Sequence, residues 1–358
     1  MKAAVLYEAN KPLVIEDLEQ DPPKMGEVRI KTGASGVCAS DHHIMTGVGT
    51  LPMPIVLGHE GAGTVVEVGP GVTRVKPGDR CILSFVSNCG HCRTCRTGFP
   101  NLCDTNRKTG ARLFDGTSRL HKGKEDIFQM AKIGVFAETL VVPEQACHPI
   151  PAEVPMEIAA LIGCSVTTGV GAVINNPAVK AGSTVAVFGC GGVGLNVIQG
   201  AKLINARRII AVDIFDHKLE FTYKFGATDV INSREQDPVK AIHELTDGGV
   251  DVAIDSFGGA VTTAAAVASL RRTGTAILVG LAPEGATAPI NMVDLVRGQK
   301  TLVGSYYGSA SPHESFAKIV DFYLKSKLDL DSLVTRRYKL EEINEGFDAL
   351  ARGEDGRG

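Results

Sequence analysis

From Thr184 onward the sequence alternates short apolar strands with helix-forming segments, and no other feature constrains the fold as tightly. Thr184–Phe188, Arg208–Val212, Val230–Ile231, Val250–Ile254, Thr275–Val279 and a run near Thr301–Gly304 read as strands. Val193–Ile204, Lys218–Phe225, Asp237–Thr246 and Thr262–Leu270 read as the helices between them. Six strands spaced this way imply a parallel sheet covered on both faces, hence an α/β, doubly wound Rossmann domain. The first turn carries a second signal. Gly189-Cys190-Gly191-Gly192-Val193-Gly194 satisfies G-x-G-x-x-G, follows a strand and opens a helix, and Asp213 ends the next strand nineteen residues after Gly194. Gly189 then makes the tight turn and Gly191 lets the backbone approach a pyrophosphate, which sits against the helix opened by Gly192, Val193 and Gly194. Asp213 would accept hydrogen bonds from the adenosine ribose and repel a 2′-phosphate, so NAD is expected over NADP.

The first third follows a different rule. Val28, Ile30 and Thr32 alternate with Arg29 and Lys31 in the period of a half-buried strand, and Thr64–Val68 and Cys81–Leu83 are further β-rich runs. Short, closely spaced strands with few helices predict a small barrel or sandwich. After Ser305, helices over Pro312–Leu324 and Glu341–Ala351 are expected to return to it. Residues 1–165 with 306–358 thus form one expected domain and residues 166–305 the other.

Four of the nine cysteines, Cys89, Cys92, Cys95 and Cys103, fall within a lobe of fifteen residues. Four thiolates so placed can close a tetrahedral zinc site with no open position, which makes it structural; an iron–sulfur cluster also uses four Cys, and spacing does not decide between them. The charge balance, 37 Lys+Arg against 40 Asp+Glu, argues against a nucleic-acid partner. No apolar stretch is expected to be long enough to cross a membrane, and Lys2 is followed by no secretory h-region, so a cytoplasmic location is expected.

Three more fragments carry reactive side chains: Gly36-Val37-Cys38-Ala39-Ser40-Asp41-His42-His43, Gly58-His59-Glu60-Gly61-Ala62-Gly63 and Gly163-Cys164-Ser165-Val166-Thr167-Thr168-Gly169. Spacing alone does not join them. With the four-Cys lobe and the glycine turn, in this order and over essentially the whole chain, they resemble the zinc-dependent medium-chain alcohol dehydrogenases. The resemblance implies a mainly β, GroES-like catalytic domain and two Zn²⁺ per chain. Cys38, His59 and Cys164 match the ligands of the catalytic zinc, with a fourth position left for water or alcohol. Glu60 matches a residue that can transiently join that zinc, and Asp41 the carboxylate that orients the His59 imidazole. Ser40 and His43 match a proton relay that runs through the cofactor ribose. Thr168 and Val193 match positions on the nicotinamide, Lys218 one near the adenosine ribose, and Arg357 one on the pyrophosphate. Phe85, Leu281 and Tyr306 fall where the family lines its substrate pocket.

The implied activity is NAD-dependent oxidation of small alcohols, primary ones favoured, to aldehydes or ketones, and the reverse reduction. Zinc would lower the pKa of the alcohol and the cofactor would take the hydride. Two alternatives stand beside it. The branch acting on S-(hydroxymethyl)glutathione pairs an acid after the first ligand with an Arg beyond the lobe; Arg107 matches the second, but Thr46–Pro52 holds no acid. A non-catalytic NAD- and zinc-binding relative would be expected to lose a ligand or the relay hydroxyl, and all are present. Ala39 replaces a basic residue on the pyrophosphate, which implies a looser hold on the cofactor. Arg112–Gly134 resembles a loop-rich segment of dimeric members, so a homodimer is expected, with a tetramer as the alternative.

Overall fold

The computed structural model describes every residue except Asp355. The chain divides into two units, Met1–Cys164 with Ala310–Leu324 and Leu330–Gly358, and Ser165–Ser309 with Lys325–Asp329.

The second unit is built on six parallel strands in the spatial order Asp229–Asn232, Arg208–Asp213, Thr184–Phe188, Val250–Asp255, Leu270–Leu278, Thr301–Gly304. Thr184–Phe188 is buried throughout, as a strand covered on both faces requires. Chain order reverses beside it, since the strands up to Asn232 build outward on one side and those from Val250 on the other. A parallel sheet opens its ligand crevice at the carboxyl ends of the strands flanking such a reversal. The helices are started by local chemistry. Asp237 accepts the N–H groups of Val239 (2.8 Å) and Lys240 (3.2 Å), and Pro238 occupies the first helical position.

In the first unit, five antiparallel strands run in the order Thr139–Pro143, Glu27–Ser35, Gly61–Val68, Arg80–Leu83, Cys147–Pro149. A second, mixed sheet of six strands includes Lys2–Leu6 and Glu125–Gln129. The predicted alternation is visible: Val28 and Ile30 are buried in the core while Arg29 between them pairs with Glu67 at 2.7 Å.

Three expectations change. Tyr306–Ser309 and Lys325–Asp329 fall in the second unit, tied there by side-chain amides: Asn175 donates to Gly308 O (2.8 Å) and Gln199 Oε1 accepts from Asp329 N (2.7 Å). Arg112–Gly134, read as loop-rich, also contains a hairpin, Leu120–Lys122 with Glu125–Gln129, and the buried Arg119 beside it grips both oxygens of Glu27 at 2.9 and 2.6 Å. One stretch does reach membrane-spanning length and apolarity, the continuous helix Met156–Ile174, but 83% of its apolar eighteen-residue window is buried inside the protein, where core packing requires the same apolar residues.

The first unit also contains a pair of histidines in contact. His313 Nε2 lies 3.0 Å from Gln145 O, so it carries the proton, and Nδ1 is left to accept from His148 Nδ1 at 3.3 Å. Burial, reinforced by Arg74, pulls both imidazoles from 6.5 to about 4. Their folded pKa lies below the unfolded one, so the stability they contribute is complete above pH 6.5 and is lost as pH falls toward 4. We expect roughly 2–3 kcal/mol per ring over that window, and a shallower acid slope in a His148→Phe variant. Urea unfolding of both proteins at pH 7, 5.5 and 4.5 checks it; parallel slopes would discard the pair as an acid-labile contact.

Candidate metal and cofactor sites

Three elements of the first unit each deliver one donor. Cys38 is the N-cap of helix Ala39–Met45, and His59 lies two residues before strand Gly61–Val68. Cys164 sits in a π-helical turn, Ile162–Val166, within the long helix. Such a turn widens the backbone ladder and re-aims its side chains, which is why π-turns gather at functional sites. The ligand atoms of the three residues lie within 4.8 Å of one another, and Cys164 Sγ is 3.3 Å from His59 Nε2. A tetrahedral zinc with ordinary bonds to sulfur and nitrogen sets that edge at about 3.5 Å, so the donor set fits the ion and leaves one position open.

Behind the trio, the buried Asp41 accepts from Gly58 N at 2.9 Å and lies 3.1 Å from His59 Nδ1. The Nδ1 proton is thereby fixed, and Nε2, which faces the two sulfurs, would give up its own proton to a metal. Burial alone would pull the His59 imidazole down, but Asp41 and then Cys38 outweigh it and hold it at about 10. The Cys38 thiol is drawn well below its usual range, first by Cys164 and, against its own burial, by His59 and Arg357. Glu60 is fully buried and ion-paired with the guanidinium of Arg357. Gly36 makes room for it, since a Cβ there would lie 2.6 Å from Glu60 Oε2. Arg357, matched by resemblance to a pyrophosphate contact, is thus placed in the first unit against Glu60. Ser40 and His43 are half-buried on Ala39–Met45, three residues apart and so on one helical face. The Phe85 ring stands edge-on to His59 at 5.5 Å.

Cys89, Cys92, Cys95 and Cys103 place all four sulfurs within 4.8 Å of one another, with Cys92 and Cys103 at 3.9 Å. A single tetrahedral zinc sets its sulfur–sulfur edge at about 3.8 Å. A cluster, with its irons at separate corners, would hold them farther apart. Backbone N–H groups already point at the sulfurs, Cys89 N and Asn106 N to Cys103 (3.3 and 3.4 Å) and Cys92 N to Cys89 (3.4 Å). The thiols are pulled in opposite directions: the Thr94 hydroxyl draws Cys92 down to about 5, while burial pushes Cys95 up. Four adjacent sulfurs ionise together only around a cation.

In the second unit Gly189 turns the chain at φ +90°, and a Cβ on Gly194 would strike Gly189 O. A Cβ on Gly191 would meet nothing within 4 Å, so the backbone there faces open space, as a pyrophosphate cradle needs. Gly191 is also the N-cap of helix Gly192–Leu203 and makes no side-chain cap bond, which leaves the first N–H groups of Gly192, Val193 and Gly194 for an anion. Asp213 ends its strand with Cys190 N donating to it at 2.7 Å. Thr168 is half-buried next to Gly169, whose Cβ would sit 2.4 Å from Val193 O, so the two helices touch there. Lys218 lies over the Phe215 ring. Leu281 and Tyr306 are exposed on this unit. Sequence reasoning passed over Ile214 and Phe257, large apolar side chains exposed at the carboxyl ends of two strands beside the glycine turn. An apolar residue one or two positions after a strand-ending Asp was the available signal.

A GroES-like unit with one closed and one open zinc set, and a doubly wound unit with a glycine turn, together define a zinc-binding dehydrogenase. Residues 24–152 match the alcohol dehydrogenase GroES-like domain and residues 192–325 the zinc-binding dehydrogenase domain. An NDMA-dependent alcohol dehydrogenase of Amycolatopsis methanolica is 40% identical over 100% of this chain and 97% of its own. The benzyl alcohol dehydrogenase of Acinetobacter calcoaceticus superimposes with a TM-score of 0.94 at 34% identity, covering 99% of this chain and 97% of that one. A putative zinc-binding dehydrogenase of Sinorhizobium meliloti, bound to NADP, gives 0.80 at 27%, covering 96% and 94%. The chain belongs to the zinc-dependent medium-chain alcohol dehydrogenase family, and it is a zinc-binding oxidoreductase.

Proposed function

We propose that the chain oxidises alcohols with NAD, primary alcohols favoured, and reduces aldehydes in reverse. The carrying observation is the buried, open Cys38–His59–Cys164 set with its imidazole fixed by Asp41. Zinc held there would supply Lewis acidity at the alcohol oxygen, and nicotinamide a hydride acceptor. The chain's own residues do the rest. Asp41 keeps His59 in its ligating tautomer, and Arg357 holds the buried carboxylate of Glu60. Ser40 is the hydroxyl that takes the alcohol proton, and His43 on the same helical face returns it to water. The Phe85 ring beside His59 favours flat aromatic alcohols among the primary ones.

A relative is named as NDMA-dependent, and a second reading follows for this chain: the reduced cofactor would stay bound and an external acceptor would reoxidise it. Ala39 weighs against it, because it removes a cation from the pyrophosphate. We read the assembly as a cytoplasmic homodimer, with a tetramer as the alternative. The unpaired outer edge of Thr301–Gly304 and the exposed Met292, Val293 and Val296 support an assembly.

The test is NADH formation by zinc-replete protein over primary, secondary and aromatic alcohols, and over formaldehyde with and without glutathione, each with and without NDMA. NADH should accumulate with primary alcohols, unaffected by glutathione and without NDMA. Turnover only with NDMA would establish the second reading. Activity only on the glutathione adduct would mean that Arg107 outweighs the missing acid. Silence with two zinc ions and NAD bound would make the chain a non-catalytic relative.

A further inference from the structure

One buried cation in the first unit has no carboxylate beside it. Lys132 is fully buried, and its Nζ donates to Asn106 O at 2.9 Å and Gly110 O at 2.8 Å, with the Phe114 ring centre 5.7 Å away. Among the described residues no acid pairs with it. Carbonyls and a ring face offer only dipoles and a quadrupole, so a whole positive charge stands out of water with no negative charge in contact. An uncharged side chain of the same length would be cheaper there. The backbone adds strain, because Ala131 and Lys132 sit at φ +54° and +66°, in the left-handed region that glycine enters freely. A lysine in such a place needs an anion that is not a carboxylate.

The four-Cys lobe supplies one. Asn106 accepts from the ammonium with its carbonyl and donates its N–H to Cys103 Sγ at 3.4 Å, and Thr105 beside it donates its hydroxyl to Cys89 Sγ at 3.2 Å. Helix Asp104–Thr109, capped by Cys103, thus bonds to the sulfurs and to the ammonium at once. Cys103 is also the group whose negative charge acts on Lys132. Four thiolates carry more charge than one Zn²⁺ cancels, so a loaded centre is a net anion. Arg93 and Arg96 of the lobe and Arg107 and Lys108 of the helix are exposed, where water and salt screen them. Lys132 and Cys103 are both buried, and little screens one from the other.

We propose that Lys132 is the internal countercharge of this centre, a positioning residue that tightens the lobe's hold on zinc by its charge and not only by its two hydrogen bonds. The inference rests on the reading of the lobe as a zinc site. It also makes the lysine a burden once the metal is gone, because with the sulfurs protonated the ammonium faces carbonyls alone.

Zinc competition between the full-length protein and a chromogenic chelator tests this without turnover. It is run in a Cys164→Ala background, where the other set has lost a ligand and the lobe's ion is the one counted. Lys132→Met and Lys132→Gln should each weaken zinc binding about tenfold or more. The Gln amide can still donate to the carbonyls of Asn106 and Gly110, so its failure to restore affinity assigns the effect to charge. Stripped of metal, both variants should melt at or above the temperature of the stripped Lys132 parent. Zinc affinity within twofold of the parent, affinity restored by Gln, or a stripped Met variant that loses as much stability as the loaded one makes Lys132 a hydrogen-bonding anchor and overturns the proposal, with the zinc reading left standing. A parent lobe that takes up no zinc overturns the two together.

Discussion

Replacement of Cys164 by Ala should leave one zinc per chain in place of two and lower kcat/KM by about a thousandfold or more. Lewis acidity at a reacting oxygen accounts for several kcal/mol of barrier, and roughly 4 kcal/mol corresponds to that factor. The loss follows from the ligand count. With Cys164 gone, only Cys38 and His59 remain of the trio, and the buried carboxylate of Glu60 is engaged by Arg357. NAD affinity should hold within a few fold, because the glycine turn and Asp213 belong to the other unit. Elemental analysis, kinetics and NAD titration on the same sample separate these effects. Cys81→Ala, which removes a buried thiol outside both sulfur sets, controls for losing a cysteine. A Cys164→Ala enzyme that turns over normally with a single zinc would remove the trio from the chemistry.

The sequence made the second unit readable because its signals are local. Strand, glycine turn, helix N-terminus and Asp213 lie within a few dozen consecutive residues, and each is fixed by backbone geometry that only certain residues adopt. The four-Cys lobe was legible for the same reason. The open trio was not: Cys38 caps a helix, His59 precedes a strand and Cys164 occupies a π-turn more than a hundred residues later. Only resemblance joined them before the fold did. Arg357 with Glu60, His148 with His313 and Lys132 with Asn106 are likewise contacts between distant segments, and no periodicity encodes them. The unit boundary was misplaced on similar grounds. Lys325–Asp329 joins the second unit through Gln199, a buried amide that reads in sequence as any polar residue.

Cys95→Ala should cost the protein its other zinc and about 3–5 kcal/mol of stability, a fall of roughly 10 °C in Tm for a unit of this size. Cys95 is only half-buried, so truncating it removes little packing, and a loss of that size must come from the metal. The consequences should begin locally. Without the ion, the mutually repelling sulfurs of Cys89, Cys92 and Cys103 no longer hold Cys103 as the N-cap of helix Asp104–Thr109. That helix is in turn the partner of Lys132, whose buried ammonium donates to Asn106 O (2.9 Å) and Gly110 O (2.8 Å) and is lowered by burial to about 8. Once the helix frays, Lys132 has lost its acceptors in a setting that does not solvate it, so damage to the lobe should spread into the first unit. Arg93 and Arg96 on the lobe, and Arg107 and Lys108 on the helix that follows it, are exposed and make no ion pair among the described residues, which makes trypsin a direct probe. Cleavage at these sites should accelerate at a temperature where the parent resists, while Cys38, His59 and Cys164 still retain their own zinc. A Cys95→Ala protein that lacks the second zinc yet matches the parent in Tm and trypsin resistance would mean that the lobe folds on its hydrogen bonds alone and that its metal is not structural.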